Sequence, residues 1–188
     1  MGEIKSTLEI ALEKAKAVEI SSEDRERFKK EEVLSKAREI FQGYTNHRTR
    51  SRSLAEAIKG SGKTASLLKQ SLTEIFLGAL DLSHSSERIW EGLQELGLKD
   101  TGPFQEALTR IAEDDRRART EEAEKMRNML RESLAKSGIS GTAVDPNIEG
   151  NAQWKDVLDS LDQRVSTELE TLRQKIARAI EEGSSSPR

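Results

Sequence analysis

The chain has 188 residues, of which 34% are hydrophobic, 4% aromatic and 35% charged, with a formal net charge of −3. That length allows one domain with a real core, but so few large apolar side chains favour long, partly exposed helices over a compact sphere. With no cysteine, disulfides and thiolate metal sites are excluded; no charged leader precedes an apolar segment and no apolar run reaches 18 residues, so no membrane association is expected and the cytoplasm is the expected location.

Charge is unevenly spread. Between Thr45 and Gln70 stand Arg48, Arg50, Arg52, Lys59, Lys63 and Lys69 against Glu56 alone, a balance of +5 that leaves −8 for the rest. Prolines are few, and runs rich in Val, Ile, Thr and Tyr are absent, so an all-α fold is expected.

In chain order, residues 1–20 predict an amphipathic helix in which Ile4, Leu8, Ala11, Ala15 and Val18 recur at spacings of four and three, a coiled-coil-like seam. Ser21 and Ser22, followed by Glu23 and Asp24, suit the start of a second helix. It gathers Val33, Ala37, Ile40, Phe41 and Tyr44 on one face and ends near Gly43, before the basic loop TNHRTRSRS. A short helical piece from Ser53 to Lys59 is punctuated by Gly60, Ser61 and Gly62.

The most apolar run, Thr64 to Leu82, predicts the central helix. Leu68, Leu72, Ile75, Ala79 and Leu82 share a narrow face flanked by Leu67 and Phe76, whereas Leu77 and Leu80 fall on the side of Ser66, Lys69, Gln70 and Thr73. Such a helix needs cover on two sides, from this chain or from a partner. The segment SHSS then supplies a cap for a helix over Glu87–Leu96, with Ile89, Leu93 and Leu96 inward and Trp90 at the edge. Gly97 suits the left-handed position after a helix, and Leu98 can fold back over the last turn.

Asp100 or Thr101 caps a long helix reaching Lys136, with Pro103 tolerated in its first turn. Its ends are amphipathic, but its middle, EDDRRARTEEAEK, offers only alanines. Four-residue ion pairs, Glu113 with Arg117, Asp115 with Arg119 and Glu121 with Lys125, would hold that stretch helical as it crosses solvent. Residues 138–150, with Gly138, Gly141, Pro146 and Gly150, form a linker. In the last helix, within residues 151–183, Leu158, Leu161, Val165, Leu169, Leu172, Ile176 and Ile180 follow an eleven-residue period that calls for a long, nearly straight neighbour such as the preceding helix. Residues 184–188 form a frayed tail. The organisation expected is thus an N-terminal helix, a helical core with one long exposed helix over 21–137, the linker, and a long C-terminal helix.

The sharpest motif is Ala57–Thr64, AIKGSGKT, which matches a permissive phosphate-binding loop with alanine in place of the first glycine. That loop requires a strand before it, and SRSLAEAIK is polar and helix-prone. A weaker version keeps Arg48, Arg50, Arg52, Gly60, Gly62, Lys63 and Thr64 as candidate anion-binding residues at a helix start. Only Tyr44 offers an aromatic ring for stacking, so base reading is not favoured. Only Asp81 and His84 have the spacing of a helical metal half-motif, and His47 has Tyr44 in the matching position; one half-motif makes no site, so no metal or cofactor is expected.

These observations favour a small helical core with long extensions and a non-enzymatic role in self-association or docking to a helical protein partner. Candidate interface residues are Ile4, Leu8 and Val18; Leu77 and Leu80; Met126, Leu130 and Leu134; and Leu158, Leu161, Val165, Leu169, Leu172 and Ile176. Phosphate or nucleic-acid binding through residues 45–70 is the alternative, and an atypical nucleotide-binding protein the third.

Overall fold

The computed structural model describes residues 22–46, 53–82, 86–141 and 144–185, in which every regular element is helical. Ile4, Leu8 and Val18 lie outside the described residues, as do His47, Arg48, Arg50, Arg52 and His84. Six α-helices pack together: α1 (Ser22–Thr45), α2 (Leu54–Lys59), α3 (Ala65–Gly78), α4 (Glu87–Glu95), α5 (Gly102–Lys136) and α6 (Ala152–Ser185), with a 3₁₀ turn over Gly62–Thr64 leading into α3.

The core forms around α3, which α1, α2, α4 and α6 all contact. Phe76 is fully buried at its centre. Phe41 meets its ring edge-on at 4.9 Å between centroids, and Tyr44 does so at 5.6 Å. On α4, Gly92 leaves room for that ring: a Cβ there would collide with it. Trp90, expected at the edge of α4, is 6% exposed and belongs to the core. Leu77 and Leu80, expected to be available to a partner, are 8% and 0% exposed, so the chain itself supplies cover on both sides of α3.

α3 is shorter than its sequence pattern. It stops at Gly78, not Leu82, because the chain turns there to send Leu80 inward. The carbonyls released by that turn find a distant donor: Arg173 of α6 donates from Nη2 to Leu80 O at 2.7 Å and to Gly78 O at 3.4 Å. A cation at a helix C-terminus also opposes the negative end of the backbone dipole. After α4, Gly97 takes φ 120°, and the amides of Gly97 and Leu98 donate to Gln94 O and Leu93 O. This is the expected glycine cap, with Leu98 buried over the last turn. Ser86 occupies the N-cap position of α4, but its hydroxyl makes no capping bond.

α5 and α6 run side by side as a hairpin with antiparallel ends. Near the core, Phe104, Ala107, Leu108 and Ile111 of α5 share a cluster with Leu169, Leu172, Ile176 and Ile180 of α6. At the far end, Met126, Ile148 and Trp154 form a second cluster with Ala123, Leu130, Val157 and Leu158. The middle of α5 therefore does not cross solvent alone. Asp115 pairs with Arg119 at 2.8 Å, as its spacing predicts, and Arg119 reaches on to Asp162 of α6. Both carboxylates raise the Arg119 pKa, the bond to Asp115 most of all. In place of the other two expected pairs, each cation takes the acid three residues before it: Arg117 pairs with Asp114 at 3.9 Å, not Glu113, and Lys125 with Glu122 at 2.6 Å, not Glu121.

Two substitutions test this packing. Gly92→Ala pushes a methyl group into the Phe76 ring and is expected to cost about 1–3 kcal/mol in urea unfolding. Arg173→Ala leaves two carbonyls without their donor and is expected to cost a similar amount, about 1–3 kcal/mol, with Arg173→Lys recovering only part of it.

Candidate functional site

Two regions are candidate ligand sites: a cleft between α1, α2 and α4, and the glycine turn beside it. A backbone amide at the start of α2 has no partner within its own helix, and the chain provides one from α4. Leu54 N–H donates to Glu95 Oε2 at 2.7 Å, while Tyr44 OH donates to Glu95 Oε1 at 3.1 Å. One carboxylate thus ties the end of α1, the start of α2 and the end of α4. Ser53 completes the start of α2 by accepting from Glu56 N at 3.2 Å. Arg88 lies over the Tyr44 ring, 5.9 Å from its centroid.

Next to this node opens a cleft of about 440 Å³. Ile40, Tyr44, Leu54 and Ala57 give it apolar walls, and Lys36 and Arg88 stand beside Glu39 and Glu56, two charges of each sign. Its size falls within the range of small-ligand sites, yet the balanced rim selects neither anion nor cation.

The glycine turn closes on itself. A phosphate loop works through backbone amides pointing into a shared hollow. Here Gly60 N donates to Glu56 O, Ser61 N to Ile58 O, Thr64 N to Ser61 O, and Ala65 N to Gly62 O. The hydroxyls are similarly engaged: Ser61 Oγ donates to Ala57 O at 2.9 Å, and Thr64 Oγ1 to Ser61 O at 2.9 Å. Lys36 Nζ donates to Ser61 Oγ at 3.0 Å, and Lys63 is exposed. A helix, α2, precedes Gly60 where a phosphate loop has a strand. Locally, Ser61 to Thr64 form a helix-to-helix corner.

The candidate interface residues divide by depth. Met126, Leu161, Leu172 and Ile176 are buried between helices of this chain, with Leu77 and Leu80. Leu130, Leu134, Leu158, Val165 and Leu169 are half-buried. Exposed apolar surface sits elsewhere: Phe28 on the outer half of α1 is 54% exposed, Met129 near the end of α5 is 50%, and Ile139 just after it is 53%. Sequence reasoning did not single out Glu95 or Arg173, because each acts on a carbonyl or amide far away along the chain. Gly92, a lone glycine inside a helical pattern, did carry a signal of close packing. Among the described residues no three His, Asp or Glu side chains converge as a metal site requires, and no helix is long and apolar enough to cross a membrane.

Tyr44 is the chain's one tyrosine, so its titration can be read without interference. Burial raises its pKa, and the Glu95 charge and hydrogen bond add to this, bringing it to about 12. The neutral phenol is therefore the folded form. Its contribution to stability is complete below pH 10, the ordinary tyrosine value, and declines as pH rises toward 12. Ultraviolet absorbance of the folded chain should show ionisation near pH 12, and Glu95→Gln should bring it closer to the ordinary value.

No family model, curated protein or solved structure matches the chain.

Proposed function

We propose that the chain is a non-catalytic interaction protein. The helices around Phe76 anchor the α5–α6 hairpin, and the far end of the hairpin presents apolar side chains to another protein, either a second copy or a helical partner. The observation that carries this reading is the reach of the hairpin. α5 runs on from Ile111, the last of its residues packed on the main core, to Lys136. At roughly 1.5 Å per residue that is about 37 Å of helix beyond the core. Near its end stand the half-exposed Met129 and Ile139, the former on an adaptable side chain suited to varied contacts.

The partner surface in this reading is the margin of the apolar stripes, since their centres already pack within the chain. Phosphate or nucleic-acid binding rests on the +5 balance of residues 45–70 and draws little support from the glycine turn, where the amides of Gly60, Ser61 and Thr64 and both hydroxyls are engaged within the loop.

Light scattering across a concentration series tests self-association. The expected outcome is a mass that rises with concentration, and a smaller rise in the double variant Met129→Glu, Ile139→Glu, with helical circular dichroism unchanged. A chain that stays monomeric throughout leaves only a different protein as partner. Titration of a labelled oligonucleotide at several salt concentrations tests the alternative; binding that weakens steeply with salt would favour it over the proposal.

A further inference from the structure

The two apolar clusters of the hairpin are unequal and poorly joined. Among the described residues the main core holds seventeen buried side chains, whereas the far cluster holds three: Met126, Ile148 and Trp154. Between them lie the Asp115–Arg119–Asp162 ion pairs, the half-buried Ala118 and Val165, and the buried Leu161, none of which belongs to either cluster. One of the three far residues, Ile148, comes from the irregular segment that joins the helices. That segment is tied to α5 by Arg131, which donates to Val144 O at 3.4 Å and lies 3.7 Å from Asp145. The Arg131 and Asp145 side chains are 49% and 79% exposed, so water and salt weaken this tie.

We propose that the far end of the hairpin opens as a unit while the main core stays folded. In the open form, Ile148 and the first turns of α6 lift from α5 and bare Met126, Leu130 and Trp154. Cooperative units of different stability are expected where buried apolar contact is discontinuous along a structure, and a thinly packed, partly ionic waist makes it so here. Neither the helix ends near the core nor the Arg173 contact has to move. This opening follows from packing alone and does not depend on the partner reading, although it would enlarge the apolar surface that reading calls on.

The chain has two tryptophans, one in each unit. Trp90→Phe leaves Trp154 to report on the far end, and Trp154→Phe leaves Trp90 to report on the core. In urea, Trp154 fluorescence should change at a lower concentration than Trp90 fluorescence, with most helical circular dichroism surviving the first transition. Coincident transitions would overturn the proposal. Hydrogen exchange of the unsubstituted chain, read by mass spectrometry, covers the case in which either variant fails to fold. Amides of residues 124–134 and 152–160 should exchange at least about tenfold faster than those of residues 68–77. Equal protection of the two regions would also refute it.

Discussion

Everything in the proximal half turns on a single ring. Phe76 is reached by Phe41 and Tyr44 from α1 and by the bare backbone of Gly92 from α4, so one side chain fixes how three helices meet. Helices pack about 8–10 Å apart depending on the side chains between them, and a glycine opposite a phenyl group lets the axes come close without a void. The consequence reaches the surface. Once α1 and α4 are set against α3, Tyr44 and Glu95 are within hydrogen-bond reach, and Glu95 can take the first amide of α2. The cleft beside them is a by-product of that arrangement, with apolar walls because they are the outer edge of the core.

Much of the architecture could be read from residue order. Helix boundaries at Lys59, Gly97, Thr101 and Lys136 are written in glycines, a proline and charge, which act through nearest neighbours. The pairing of α6 with α5 follows from the spacing of Leu158 to Ile180, since a row that long has to lie along something equally long. The early stop of α3 was not legible. Apolar periodicity continues to Leu82, and the turn that ends the helix has its free carbonyls satisfied by a guanidinium more than ninety residues later. The depth of Trp90 was hidden for a related reason, because it depends on neighbours from other helices.

Residues expected at an interface were recognisable as apolar but not as exposed. A row of leucines along a helix announces only that something covers it, and here Leu161, Leu172 and Ile176 are covered by α5 and the core of the same molecule. What stays outside, Met129 and Ile139, falls at the end of one row and beyond it. The AIKGSGKT segment teaches the converse point. Its composition resembles a phosphate cradle, but direction matters more than composition, and the amides of Gly60, Ser61 and Thr64 face their own preceding carbonyls.

The contact from Arg173 to the end of α3 also bears on how the molecule is made. On the ribosome, the segment up to Leu98 emerges about 82 residues before Ile180, which at roughly 5–20 residues per second is a delay of about 4–16 s. Until the last few residues of that interval the nascent chain lacks Leu172, Ile176 and Ile180, which complete the core from α6. The order of synthesis thus makes α6 the last element to close the core that the earlier helices begin.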